Sequence, residues 1–227
     1  MTRKIHDTGT GFKRYLETQE WTDLVQAGRR RIYERADFIL RQGEAHDTVH
    51  LLTEGRAKVD YTEPGGGEVL LSVRGPGDLL GEMARAIGRR MASVRAMEQC
   101  VTYELTADTF GALMRRRGWK DEFEKYAMSK LAESAPQQWC AARMRAKARL
   151  AQLLMSVVDV AGPHHSSPLR VNLSQEELAG ALGVVRSAVT PILKVWKNNG
   201  FIEVVRGGVV VKEPESLRAQ VNVQCDS

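Results

Sequence analysis

Apolar and polar residues alternate along this chain in three successive rhythms. Near the start, Phe12, Tyr15, Leu16, Leu24, Val25 and Ala27 recur at roughly helical spacing, and Gly28 supplies a stop. From about Arg31 to Leu105 the apolar runs become short or strictly alternating: Phe38-Ile39-Leu40, Val49-His50-Leu51-Leu52, Ala57-Lys58-Val59-Asp60-Tyr61, Val69-Leu70-Leu71-Ser72-Val73 and Val101-Thr102-Tyr103-Glu104-Leu105. Between them stand the turn formers Gln42-Gly43-Glu44, Glu54-Gly55, Pro64-Gly65-Gly66-Gly67 and Gly75-Pro76-Gly77-Asp78. Short strands at near-regular spacing with glycine at the turns predict a β-sandwich or barrel. After Thr106 the helical rhythm returns.

The stretch from Asp121 to Val160 reads as one long helix with Phe123, Met128, Leu131, Trp139, Ala142, Ala146, Leu150, Leu153 and Leu154 as its apolar stripe. Pro136 removes a backbone donor and predicts a kink there. A helix of this length needs a partner surface: a second copy in a coiled-coil-like contact, or the chain's own β domain. Gly162-Pro163-His164-His165-Ser166-Ser167-Pro168 is the clearest linker. Its paired histidines lack the further ligands a metal site requires.

The region from Leu173 to Ile202 carries the strongest pattern. Ser174 and Glu177 fit a capping box, Leu178, Ala181 and Leu182 share a helix face, and Gly183 marks a sharp turn. A second helix follows, with Val189, Ile192, Leu193 and Trp196 facing inward and Asn198-Asn199-Gly200 ending it. Phe201 to Val211 reads as a hairpin turning at Gly207-Gly208. Helix, glycine turn, helix and hairpin make a winged helix-turn-helix. Its outward set, Arg186, Ser187, Thr190, Lys194 and Lys197, comprises residue types that reach guanine edges and phosphates in a major groove. The fold class is therefore α+β: a helical segment at 1–30, a β-sandwich or barrel at 31–118, a long helix at 119–161 and a winged helix-turn-helix at 162–227.

Composition narrows the function only modestly. The 227 residues carry a formal net charge of +5, which permits a polyanionic partner without requiring one. With 43% hydrophobic and 27% charged residues the chain can bury a core, and no apolar run long enough to span a bilayer occurs. The polar start Met1 to Asp7 does not read as a signal peptide. Cys100, Cys140 and Cys225 are widely separated and odd in number, which argues against a disulfide framework or a CxxC metal site and for a reducing, cytoplasmic setting. No nucleophile–base set points to an enzyme.

Taken together, Arg41-Gln42-Gly43-Glu44, Glu54-Gly55, Gly75-Pro76-Gly77-Asp78, Leu80-Gly81-Glu82-Met83-Ala84, Ala92-Ser93-Val94-Arg95-Ala96 and Leu173-Ser174-Gln175-Glu176-Glu177-Leu178-Ala179 resemble the signatures of the CRP/FNR superfamily of bacterial regulators. The resemblance runs from about Phe12 to Leu217. It implies an N-terminal jelly-roll sensor of the cyclic-nucleotide-binding type, a long dimerisation helix and a C-terminal winged helix-turn-helix. In the family a Gly-Glu pair and a later Arg-Ser/Thr pair bind the ribose and the cyclic phosphate, through amides at a short helix start, a carboxylate and an arginine. Gly81, Glu82, the amide of Met83 and Arg90 match that cassette. Met91 stands where the hydroxyl is usual and cannot donate a bond. Ser134 falls about where the family places a hydroxyl against the purine. Arg85 and Arg89 add charge to a shortened loop. Three readings of the pocket follow: a cyclic nucleotide such as cyclic AMP bound with altered affinity, a different anion, or a degenerate pocket with no small effector.

On the reading helix, Arg186 matches the family's leading base-reading arginine, while Ser187 replaces an acidic reader and Pro191 replaces a second arginine. A helix starting at Ser187 would place Pro191 near its first turn, where proline is tolerated. Ser174, Gln175 and Arg206 complete the expected DNA contacts. The expectation is a homodimeric regulator that binds a double-stranded operator and works with RNA polymerase. The competing reading is a cyclic-nucleotide module that acts through protein contacts beside a vestigial DNA-binding domain.

Overall fold

The computed structural model of the chain describes residues 11–45, 47–86, 88–141 and 145–222, without the side chains of residues 85, 86, 134–141 and 222. The hydroxyl of Ser134, the side chains of Arg85, Pro136, Trp139 and Cys140, and all of Met1 to Asp7, Ala142 and Cys225 lie outside the described residues.

A 3₁₀ turn at Gly11–Tyr15 and helix α1 (Thr18–Gln26) precede a two-sheet roll. Its strands are β1 (Arg29–Tyr33), β2 (Phe38–Leu40), β3 (Thr48–Glu54), β4 (Ala57–Thr62), β5 (Glu68–Arg74), β6 (Leu79–Leu80), β7 (Ser93–Ala96) and β8 (Cys100–Thr106). One sheet runs β1-β8-β3-β6 and the other β2-β7-β4-β5, all in antiparallel register. Eight strands in two facing sheets are the expected jelly-roll. β1, β6 and β7 escape a reading by hydrophobic runs: β1 is Arg-Arg-Arg-Ile-Tyr, and β6 has only two residues.

β3 shows how the roll is held. Val49 and Leu51 join Phe12, Leu24, Phe110, Trp119 and Tyr126 in an outer core beneath the helices, while Leu52 joins Leu40, Leu80 and Val94 between the sheets. The period-2 alternation of a strand thus buries both of its faces.

Behind the roll come α2 (Ala107–Arg117), capped by Thr106, and α3 (Lys120–Ala141). The long helix expected over 119–161 is divided: α3 is followed by a separate helix α4 (Ala146–Asp159). The division does not fall at Pro136, which lies within α3. Beyond α4 are β9 (Arg170–Val171), α5 (Gln175–Leu182), α6 (Arg186–Asn198), β10 (Ile202–Val205), β11 (Gly208–Val211) and α7 (Pro214–Asn222). β9 completes a three-stranded wing in the order β10-β11-β9. Leu150, Leu154 and Val157 of α4 are buried in one core with Leu178, Leu193, Trp196 and Leu217, so α4 packs with the C-terminal elements. Val73 and Met97 of the roll enter that same core.

Candidate nucleic-acid interface and effector pocket

The C-terminal elements form the expected motif. Ser174 caps α5: its Oγ accepts from the Glu177 amide at 3.2 Å, and the Ser174 amide donates to the Glu177 carboxylate at 2.9 Å. Gly183 ends α5 in the left-handed region at φ 64°, and the chain turns by 116° into α6. Val189, Leu193 and Trp196 are buried, whereas Arg186, Ser187, Thr190, Lys194 and Lys197 are exposed along the opposite face. Arg206 is exposed at the wing turn. Gln175, half-buried, accepts a hydrogen bond from the Thr190 hydroxyl at 3.0 Å and so bridges the two helices.

α6 does not start at Ser187. It starts at Arg186 with Val185 in the cap position and no side-chain cap bond, so Pro191 lies within the helix rather than in its first turn. The cause is the turn: the Val184 amide closes α5 on Ala179 O, and Ala188 already donates to Val185 O at 2.9 Å. Pro191 leaves one helical acceptor without its amide partner. Its exposed position lets the ring point to solvent, and the single Thr190 hydroxyl proton is shared between Gln175 Oε1 at 3.0 Å and Arg186 O at 3.1 Å in the same stretch.

The roll holds a cavity of about 680 Å³, lined on one side by the cassette from Leu80 to Ala84 with Arg90 and Met91, and on the other by α3 and the last turn of α4. Gly81 has φ +84°, and a Cβ there would collide with the Arg90 guanidinium and Leu40. Arg90 is buried. It donates to Gly81 O at 2.8 Å, to Thr48 O at 2.5 Å and to Thr48 Oγ1 at 3.1 Å. Burial lowers its pKa, opposed by Asp47 at 3.9 Å. Glu82 is also buried, and burial raises its carboxyl above the ordinary range, opposed chiefly by Arg74. Met83 and Met91 are 41% and 49% exposed and give the mouth an apolar edge.

The cations opposite the cassette, Arg74 and Lys130, belong to no motif in the sequence. Arg74 lines the cavity. Burial works against its charge, yet Tyr126, Asp78 and Glu82 outweigh that and raise its pKa. Lys130 bonds Asp78 at 2.9 Å and Glu133 at 3.1 Å, and the Tyr126 hydroxyl donates to Asp78 at 3.3 Å. Tyr126 and Lys130 precede Ser134 at i−8 and i−4, a helical spacing that was available in the sequence.

A roll with an anion-type cassette joined to a winged helix-turn-helix defines a sensor fused to a DNA reader. Family models agree: a cyclic nucleotide-binding domain matches residues 30–117 and a Crp-like helix-turn-helix domain matches residues 148–220. The cyclic AMP receptor protein of Thermus thermophilus is 27% identical over 83% of this chain and 86% of its own length. A CRP-like cAMP-activated global transcriptional regulator of Mycobacterium tuberculosis is 23% identical over 82% and 84%. The solved c-di-GMP-responsive global regulator CLP of Xanthomonas campestris superposes with a TM-score of 0.69 at 19% identity, covering 86% of this chain and 99% of that one. The chain belongs to the CRP/FNR superfamily of transcriptional regulators. No single helix among the described residues is long and apolar enough to cross a membrane.

Proposed function

We propose that this regulator works in the cytoplasm as a homodimer that reads a specific double-stranded operator through α6 and answers to a cyclic nucleotide or a comparable organic anion in the roll. The observation that carries the DNA reading is the division of α6 into a buried apolar face and an exposed face of Arg186, Ser187, Thr190, Lys194 and Lys197. In this reading Arg186 pairs with a guanine edge, and Thr190 meets a thymine methyl or a phosphate. Ser174, Gln175, Ser187, Lys194, Lys197 and Arg206 fix the register through the backbone. Met128 and Leu131 support the second copy, since they leave α3 exposed at 65% and 52% while its other face packs on the roll. RNA polymerase is the partner such a regulator addresses.

The effector is held by the amides and carboxylate of the Gly81-Glu82-Met83 segment, with Arg90 beside it, Met91 at the mouth and Ser134 on α3 across the cavity. The relatives named for cyclic AMP support this assignment. An anion must win Arg90 from Gly81 O and Thr48 O, which makes nucleotide affinity lower than an open arginine would give. Selection from a random duplex library tests the DNA reading. The expected product is a near-palindrome with half-sites about 34–36 Å apart. Failure to enrich any sequence would leave the protein-contact module as the surviving function.

A further inference from the structure

Sensor and reader meet at a buried polar cluster built on Arg56 and Glu98, beside more exposed contacts of Arg35 and Lys58 with Glu177 and of Arg35 with the Asn172 and Gly207 carbonyls, and we infer that the buried cluster is the joint that passes occupancy of the roll cavity to the DNA-reading head. The inference rests on the function proposed above.

Arg56, in the turn between β3 and β4, is only 1% exposed. Its Nε and one terminal nitrogen grip Glu98 at 2.7 and 2.8 Å. The remaining donors reach three backbone carbonyls beyond the roll: Val157 in α4 at 3.2 Å, Pro168 in the connection at 3.3 Å and Arg170 in β9 at 2.7 Å. Glu98 meets the reader as well, bonding His165 Nε2 at 2.7 Å and accepting from Asn172 Nδ2 at 3.0 Å. Burial resists the charge on Glu98, but these hydrogen bonds outweigh it and lower its pKa. A planar guanidinium can meet these acceptors in few arrangements, so the cluster specifies one placement of reader on sensor. Val73 and Met97 supply apolar contact between the same two units, and the hydrogen-bond geometry of the cluster adds direction to it.

The cavity touches the same turn of helix from its other side. Ser156, Asp159 and Val160 line it, adjacent in sequence to the Val157 carbonyl held by Arg56. Asp159 is further paired with Arg218 of α7 at 2.6 Å. Gly75, in the cavity wall, lies so close to Val160 that a Cβ would collide with its carbonyl. A ligand that displaces the end of α4 therefore acts on a segment tied to β9 and α7. The route is a chain of packed and hydrogen-bonded groups from the cavity wall through the end of α4 to β9 and α7.

The test uses the full chain in three forms: wild type, Arg56→Met with Glu98→Leu, and Arg56→Lys. The double substitution removes the polar joint without stranding a charge. Lysine keeps the pairing with Glu98 but cannot span three carbonyls. Cyclic AMP and a selected operator duplex are titrated separately and together. In the wild type each is expected to change the affinity of the other by the same factor, on the order of 5-fold or more. Both variants are expected to bind each partner with the factor reduced to about one. Coupling that survives in both, or that lysine restores in full, would overturn the joint and leave Arg56 a structural counter-ion to Glu98. If the wild type binds no duplex or no cyclic AMP, the regulator reading fails by itself. Scanning calorimetry then decides the joint separately: one cooperative transition in the wild type and two in the double variant support it, and one transition in both overturns it.

Discussion

The reading face of α6 and the cavity of the roll are both rich in cations, yet they hold them differently. On α6, the side chains of Arg186, Lys194 and Lys197 make no ion pair within the described residues and face solvent. In the cavity, Arg90 is bonded to Gly81 and Thr48, and Lys130 to Asp78 and Glu133. A polyanion can therefore meet the first set without breaking anything in the protein, and its affinity follows counterion release. An effector must exchange bonds with the chain itself, so its net affinity is a small difference between large terms. The cavity is suited to switching and the helix face to holding.

The largest effect should fall on the reader. Leu193 is almost fully buried beside Trp196, and Leu193→Ala is expected to cost about 2–5 kcal/mol, lowering the thermal midpoint and abolishing operator binding. Retained affinity would show that the buried side of α6 does not set its outer face. The sensor has its own signature in His50, which is buried against Thr102 at 3.1 Å and whose pKa is lowered to about 4, chiefly by burial. Below the ordinary histidine range the unfolded chain takes up a proton that the folded roll refuses. Stability from this group is therefore full above about pH 6.5 and lost as pH falls toward 4, by about 3 kcal/mol in total. Urea unfolding of wild type and His50→Gln across that window checks it, and a parallel loss in both would remove His50 as the cause.

On the reading face, Arg186→Ala should lose about 1–3 kcal/mol at one base position and flatten preference there, which cross-competition of single-base operator variants measures. Uniform weakening across sequences would make Arg186 a phosphate contact. In the pocket, Met91→Thr supplies the hydroxyl that family members place beside the arginine. Cyclic AMP should then bind about 0.5–1.5 kcal/mol more tightly by calorimetric titration. No change would count against a cyclic phosphate beside residue 91. The smallest effect belongs to Lys194→Ala, whose salt slope for operator binding should fall by about one unit; an unchanged slope would remove Lys194 from the phosphate contacts.

How far the sequence alone carries differs between the two regions for the same physical reason. A helix face is a local pattern: Val189, Leu193 and Trp196 announce the buried side of α6, and the outward residues follow from their spacing. The Ser174–Glu177 box and the Gly183 turn are equally local. The cavity is assembled across long separations, with Arg74, Glu82 and Lys130 drawn from a strand, a 3₁₀ turn and a helix, so no window contains their partnership. Family motifs point to Gly81, Glu82 and Arg90 in the cavity lining but not to Arg74 or Lys130, which line it too. They also gave no hint that Arg56 and Glu98 meet the reader. The start of α6 at Arg186 is set by the turn that Gly183 imposes, which overrides both the cost of about 3 kcal/mol for an interior proline at Pro191 and the better cap that Ser187 offers.

Sequence-specific operator reading by α6 is tested most directly by titrating the full chain with the duplex selected from a random library and with a scrambled duplex of the same length and composition, at one fixed salt concentration. A preference on the order of 10³-fold or more for the selected duplex is expected, reduced at the guanine position in Arg186→Ala. Equal affinity for both duplexes would contradict it.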